Sequence, residues 1–356
     1  MIGSIGKQLS VALLLLIGAV SSRAAVILQY HHIGDEFPVS TSVSLERFER
    51  HLKSIEDHGF TVVALPDLVA RLRDGQLREA TDKQVAITFD DAYISVLTRA
   101  YPLLKARGWP FTVFVNTASV DSGTGGVLSW SQLKSMTGVS IANHTRTHAH
   151  LIRRLSGETD ALWEVRIRQE IEQAESRIEQ QTGQSHRLLA YPYGEYDWAL
   201  LELVGAMGYA AVGQQSGAVG QLSDLRALPR FPFAGHYGAP DDFADKLNSL
   251  PLPVRGVWLE ENPRQRAPLV LPAEGGTPRL VLQLPFELAQ KLSCFASGQG
   301  AIPVAASAER AIVSLRKDLP PGRSRVNCTA PADDGRFYWY SHPFIRPLAN
   351  GSWYQE

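Results

Sequence analysis

The sequence predicts an α/β domain built on a largely parallel sheet, followed by a small all-β domain of the sandwich type. Three observations carry this. From Ala25 to about Ser249, short apolar runs alternate with longer amphipathic stretches, the pattern of repeated β-α units. At Leu250-Pro251-Leu252-Pro253 the texture changes and helical periodicity nearly vanishes. Beyond it, strand-like pieces recur between Pro and Gly turn signals over the rest of a 356-residue chain. The expected division is residues 25–249 and 250–356.

The elements follow in order. Val26-Ile27-Leu28-Gln29-Tyr30 is strand-like. Ser44 is placed to N-cap a helix whose Leu45, Phe48, Leu52 and Ile55 share one face, with Gly59 past its end. Thr61-Val62-Val63-Ala64 is the next strand, and Pro66 suits a first helical turn. Val85-Ala86-Ile87-Thr88-Phe89 and Phe111-Thr112-Val113-Phe114-Val115 are continuous apolar runs, as expected of strands covered on both faces. Between them a helix is predicted over Tyr93–Arg107. Ile167, Ile171, Ala174 and Ile178 mark a long helix ending at Gly183. Leu188-Leu189-Ala190-Tyr191 and Tyr209-Ala210-Ala211-Val212 complete the strands. Seven or so strands suit a barrel, but periodicity leaves open whether the sheet closes.

Composition narrows the function. Hydrophobic residues make up 44% of the chain and charged ones 20%, a globular balance. A formal charge of -1 offers no basic field to nucleic acid or anionic lipid. Met1 and Lys7, an apolar core from Val11 to Val20, and Ser22-Arg23-Ala24 read as a cleavable signal over residues 1–24. That core is well short of the ~20 residues needed to cross a bilayer. The expectation is an exported protein, periplasmic or extracellular, with no stable membrane span. Two cysteines, Cys294 and Cys328, exclude a four-cysteine zinc site and are expected to form a disulfide after export.

Three clusters at strand ends carry candidate chemistry. Thr88-Phe89-Asp90-Asp91 ends an apolar strand with two carboxylates that must be solvated, hydrogen-bonded or bound to a cation. His144-Thr145-Arg146-Thr147-His148 places two imidazoles at i and i+4, which would share one face of a helix and reach one metal ion. Two imidazoles and one carboxylate leave coordination positions open, as in catalytic zinc sites. On such a helix His150 would diverge from His148. Tyr191-Pro192-Tyr193-Gly194 ends another strand, where Pro and Gly bracket a backbone N–H suited to an oxyanion.

The ordered trio resembles the polysaccharide deacetylase (NodB-homology) family of carbohydrate esterases, over roughly Ala25 to Ser249. The resemblance implies an irregular (β/α) barrel and one divalent metal ion, Zn²⁺ first among candidates, held by Asp91, His144 and His148. It implies Asp90 as general base and the Tyr193 N–H as an oxyanion donor. Two departures stand out. Ala190 occupies the place of the family's usual arginine, two residues before the motif's proline. No clear Leu-x-His element follows the third motif. Tyr30-His31-His32-Ile33 instead resembles the exported poly-β-1,6-N-acetylglucosamine deacetylase branch, in which the acid histidine lies on the first strand. His31 is therefore assigned as general acid, with His32 and His236 as alternatives. Arg230 is placed either to orient Asp90 in lieu of the missing arginine or to sit in a surface salt bridge. Trp130 and Trp198 are expected to line the sugar groove.

The implied reaction is metal-assisted removal of N-acetyl groups from an exported or envelope polysaccharide, poly-N-acetylglucosamine first, with acetate released. Chitin-like oligomers, peptidoglycan and O-acetyl esters are alternatives. A non-catalytic glycan-binding protein on a degenerate barrel is the rival from another class. Trp258, Tyr338, Trp339 and Tyr340 are candidates for glycan contact by the C-terminal domain.

Overall fold

The computed structural model of the chain describes residues 24–76, 83–235 and 242–355. The leader assigned to residues 1–24, Ala24 apart, and the alternative acid His236 lie outside these residues.

Eight strands build the N-terminal sheet: β1 Ala25–Tyr30, β2 Thr61–Val62, β3 Gln84–Phe89, β4 Phe111–Val115, β5 Val139–Asn143, β6 Leu188–Ala190, β7 Ala210–Val212 and β8 Phe231–Pro232. They run parallel in the order β8-β1-β3-β4-β5-β6-β7, with β2 beside β3. The sheet curls until its edges meet across residues 228–232, where Leu228 bridges in parallel to Val212 and Phe231 pairs with Leu28. This is the irregular barrel the resemblance implied. Side chains alternate across a strand. One set, including Ile27, Ala86, Phe114, Ala142, Ala190, Val212 and Leu228, packs together on the inside of the curl. Gln29, Thr88 and Asp90 continue the inner set along β1 and β3.

Helices α1 Leu45–Asp57, α2 Leu65–Arg73, α3 Tyr101–Ala106, α4 Thr117–Asp121, α5 Trp130–Ser135, α6 Asp160–Thr182 and α7 Trp198–Ala206 accompany the sheet. Ser44 caps α1 by accepting from the Arg47 N–H, and Phe48, Leu52 and Ile55 are buried as their spacing predicts. Thr159 caps α6, which ends at Gly183 in the left-handed region, φ 73°. The helix predicted over Tyr93–Arg107 is present over residues 94–106 but is irregular. A wide π-type turn, Val96–Ala100, precedes α3, whose first turn holds Pro102. Proline has no N–H to give to the preceding turn, and its ring pushes that turn's carbonyl aside, so the turn widens.

The C-terminal region forms two antiparallel-rich sheets. One contains β9 Leu250–Pro251, β12 Ser293–Ala296, β13 Gly300–Ile302, β16 Gly322–Pro331 and β17 Phe337–Arg346, in the order β9-β17-β16-β12-β13. The other contains β10 Gly256–Leu259, β11 Arg279–Gln283, β14 Val304–Ser307 and β15 Arg310–Ser314, in the order β10-β11-β15-β14. Leu280, Leu282 and Val313 of one sheet meet Ala296, Val326, Ala330 and Phe344 of the other in a shared core. Cys294 and Cys328 face each other across β12 and β16 and are disulfide-bonded. The sandwich also packs on the barrel: Leu269 and Ile345 join Leu200, Leu201 and Leu203 in one buried cluster.

Candidate active site

The three motifs converge at the carboxyl ends of β3, β5 and β6, where α/β folds keep their ligands. Asp90 and Asp91 leave β3, His144 leaves β5, and Tyr193 follows β6. Seven described non-glycine residues have positive φ, and Asp91, Ala92, Thr145, His148 and Tyr193 are five of them. Such backbone is sustained only where surroundings over-determine it, and here it concentrates at one mouth.

His144 and His148 do not lie on a helix, as their spacing suggested. They flank a loop with φ 66° at Thr145 and 58° at His148. The loop is held from beneath by polar residues. Asn143 Oδ1 accepts from the Thr145 N–H at 2.8 Å, and Glu170 of α6 accepts from the Thr147 N–H at 2.9 Å and its hydroxyl at 3.0 Å. Thr145 Oγ1 accepts from the His148 N–H at 3.1 Å. A local polar framework thus does what helical pitch would have done.

The result is a coherent donor set. Asp91 Oδ1 stands 3.5 Å from Nε2 of both His144 and His148, and the three ligand atoms all lie within 4.8 Å of one another. Ligands about 2.1 Å from a tetrahedral ion are themselves about 3.4 Å apart, so the spacing fits one divalent cation. His144 Nδ1 lies 2.8 Å from the carbonyl of Ala190. A carbonyl only accepts, so Nδ1 carries the proton and Nε2 presents its lone pair to the ligand position. Burial, reinforced by the neighbouring His144, lowers the His148 imidazole to about 4 against the pull of Asp91. It is therefore neutral, and able to ligate, at neutral pH. Ala190, a departure from the family pattern in its side chain, contributes through its backbone.

Asp90 lies behind this group, fully buried. Arg230, itself fully buried, clamps it with Nη1 on Oδ1 and Nη2 on Oδ2, both at 2.7 Å, and Gln29 Nε2 gives a third bond to Oδ2 at 2.7 Å. The remaining guanidinium donors reach Thr88 Oγ1 at 3.1 Å and the Gly213 carbonyl at 2.8 Å. Burial alone would raise the Asp90 carboxyl. The Arg230 charge, aided by His144 and the Arg230 hydrogen bonds, holds it well below the usual carboxylate range. Arg230 is thus no surface salt bridge. Gln29 was missed in the sequence, although a lone amide in the apolar run Val26–Tyr30 was a visible signal.

His31 and His32 part company as neighbours at a strand end do. His31 Nε2 is 4.0 Å from Asp90 Oδ2 and partly exposed. His32 is buried and sandwiched between Phe37 and Tyr93, at ring separations of 4.1 and 3.5 Å. Burial, with the charge of His31, lowers its pKa to about 4. Tyr193 has φ 59° in the turn Pro192–Gly194. The following Gly194, φ 69°, is required because a Cβ there would sit 2.7 Å from the Gln214 side chain.

The candidate sugar-groove tryptophans are each held by partners outside the donor set. Trp130 Nε1 donates to Asp121 at 2.7 Å, and Arg177 covers its ring. Trp198 Nε1 donates to the Ala267 carbonyl at 2.9 Å. Its ring lines a cavity of about 660 Å³ between barrel and sandwich that Asp91, His144 and His148 do not line. Of the C-terminal aromatics, Trp339 and Tyr340 border the same cavity, whereas Trp258 lies under Arg310 and Tyr338 packs on the sandwich core.

Comparison with known proteins shows what the chain is similar to. A family profile described as Polysaccharide deacetylase matches residues 78–212. YxkH of Bacillus subtilis (strain 168), named as a polysaccharide deacetylase, is 31% identical over 209 residues, covering 57% of this chain and 69% of that protein. The poly-beta-1,6-N-acetyl-D-glucosamine N-deacetylase of Escherichia coli (strain K12) is 23% identical, covering 59% of this chain. The protein of that name from Staphylococcus aureus (strain N315) is 26% identical, covering 43%. The match spans only 37% and 54% of those two relatives' lengths. Among solved structures, Streptococcus pyogenes deacetylase PplD shares the fold with a TM-score of 0.56 at 23% identity, covering 64% of this chain and 99% of that one. IcaB from Ammonifex degensii does so with a TM-score of 0.54 at 22% identity, covering 64% and 97%. Fold, motifs and sequence relationship agree: the chain belongs to the polysaccharide deacetylase family.

Proposed function

We propose that this chain is a divalent-metal-dependent N-deacetylase of an exported polysaccharide, poly-N-acetylglucosamine first among substrates, working outside the cytoplasm. The observation that carries the reading is the Asp91, His144 and His148 donor set with the clamped Asp90 behind it. The names of the Escherichia coli and Staphylococcus aureus relatives support the substrate, and the disulfide supports export. No helix among the described residues is long and apolar enough to cross a membrane.

Asp91, His144 and His148 would hold the cation, Zn²⁺ being the first choice for an imidazole-rich set. A divalent ion there supplies Lewis acidity to the acetyl carbonyl and acidifies water. Asp90, ionised at every working pH, accepts the proton of the attacking water. Its Oδ2 already accepts two bonds, so Oδ1, with one, is the oxygen best able to take that proton. The Tyr193 N–H receives the developing oxyanion. His31, beside Asp90 at the open mouth, gives a proton to the departing amine. The products are acetate and a polymer bearing free amines.

The test is acetate release from a panel of acetylated glycans by metal-stripped protein, before and after Zn²⁺ is restored. Release only after reconstitution, greatest on poly-N-acetylglucosamine, supports the reading. Asp90→Asn should bind metal without turnover, whereas His148→Ala should lose both. Glycan binding with no acetate from any substrate would identify a binding protein on a degenerate barrel and overturn the proposal. Faster release from chitin oligomers, peptidoglycan or O-acetyl esters would reassign the substrate.

A further inference from the structure

The turn that carries Tyr193 is braced by the C-terminal sandwich, through a buried carboxylate that the proposed chemistry leaves unused. Glu195 has a fully buried side chain. Its Oε2 receives His150 Nδ1 at 2.7 Å, and its Oε1 receives the hydroxyl of Tyr354. Arg323 Nη1 of β16 stands 3.5 Å from Oε1, and Arg153 Nη2 stands 3.8 Å from it. Tyr354 and Arg323 come from the last segment and the sandwich, Arg153 and His150 from the loop after His148. One carboxylate therefore joins three parts of the chain.

The contacts continue to the site. The His150 ring lies flat on the Tyr193 ring, 3.8 Å apart and 8° from parallel. The Tyr193 ring meets the His148 ring edge-on at 4.5 Å, and the Arg323 guanidinium sits 5.5 Å over Tyr193. A second brace comes from the same strand. Arg325 Nη1 donates to the Gln214 carbonyl and to Ser216 Oγ, both at 3.3 Å. Gln214 is the residue whose side chain closes on Gly194. Tyr193 at φ 59° is conformationally costly and persists only while its surroundings hold it. A buried carboxylate is likewise tolerated only when fully paired.

We propose that Glu195 is a positioning residue, through which the C-terminal sandwich fixes the Tyr193 turn and the direction of its N–H. It touches neither substrate nor metal, and acts by way of His150. The inference deepens the deacetylase reading and rests on it for the role of Tyr193.

The experiment uses the full chain with Zn²⁺ restored, and compares Tyr354→Phe, Glu195→Gln and Glu195→Ala with the parent. Loss of an oxyanion donor's alignment should lower kcat about 100-fold in Glu195→Ala, with KM for the acetylated glycan and Zn²⁺ affinity within about twofold of the parent. Glu195→Gln should recover roughly tenfold of that, because its amide oxygen still accepts from His150. Tyr354→Phe, the mildest change, should cost about fivefold and guards against misfolding of the Glu195 variants. Hydrogen exchange by mass spectrometry should show faster exchange across residues 192–195, with residues 84–89 unchanged. Parental kcat and parental exchange at 192–195 in Tyr354→Phe and Glu195→Gln would overturn the proposal. So would a loss of kcat that tracks lost Zn²⁺ affinity and faster exchange throughout the barrel. If the parent itself releases no acetate, the deacetylase reading fails, and exchange at 192–195 alone then decides whether the sandwich holds this turn.

Discussion

Replacing Arg230 by Met tests the electrostatic logic of the barrel mouth. The side chain is fully buried and makes four hydrogen bonds, two of them to Asp90 at 2.7 Å. Methionine keeps much of the volume but leaves the buried Asp90 carboxylate with one side-chain hydrogen bond, from Gln29, and the weaker support of His144 and His31. Breaking a buried pair by removing one partner costs about 3–5 kcal/mol, because the stranded charge is not resolvated. The carboxyl should therefore rise from below the usual range to above it. In the parent, the depressed Asp90 contributes stability above its unfolded value, ~3.9, which is lost as pH falls through the folded value. In Arg230→Met the sign reverses, and the ionised carboxylate destabilises the fold at neutral pH. Urea denaturation of Arg230→Met, Asp90→Asn and the double variant gives the coupling energy directly. A coupling of about 3 kcal/mol or more is expected, with the double variant more stable than Arg230→Met alone. The acid limb of kcat/KM in Arg230→Met should move to higher pH. A coupling below about 1 kcal/mol, together with an unmoved acid limb, would refute the argument that Arg230 sets the proton affinity of Asp90.

Three other outcomes are expected. His31→Ala should lower kcat by roughly 10²–10⁴, the range for loss of a general acid, while His32→Ala should act mainly on stability; steady-state kinetics in the reverse order would make His32 the acid. Reducing Cys294–Cys328, or replacing both residues by Ser, frees a loop of sequence separation 34 and should cost up to about 4 kcal/mol in the chain-entropy treatment, measured by thermal unfolding. His342 is fully buried, and burial lowers it from 6.5 to about 4. Because the unfolded chain takes up that proton first, stability should be full above pH 6.5 and fall as pH drops toward 4, by about 3 kcal/mol at most. Denaturation at pH 7 and pH 4.5 should show a smaller decline in His342→Gln, and an equal decline would exclude His342 as a source.

Much of the fold is legible because its signals are local. Ser44, Gly183 and the apolar runs of β1, β3 and β4 state their own structure, and the three motifs sit at strand ends where chemistry is expected. Period-two alternation also explains why His31, rather than His32, shares the inner side with Gln29 and Asp90. What escaped depends on distance along the chain. The i, i+4 spacing of His144 and His148 suggested a helix, because Glu170 and Asn143, which shape the loop instead, act through tertiary hydrogen bonds. Arg230 had two readings until the sheet closed and brought it to Asp90, 140 residues away. Trp198 belongs to the cavity beside the sandwich, a surface that exists only once both parts are folded.

The two-residue strand β8 makes the barrel's final joint, with Leu228 on one side, Phe231 on the other and Arg230 between them. Closure of the sheet and the pairing of Arg230 with Asp90 therefore depend on the same short segment. A lengthened linker at Ala227, or thermal breathing of that lip, would carry the guanidinium away from its carboxylate while most of the scaffold stayed intact. On warming, turnover should then fail before ellipticity does, and variants that tighten this short hem should extend the working temperature more than variants that enlarge the core.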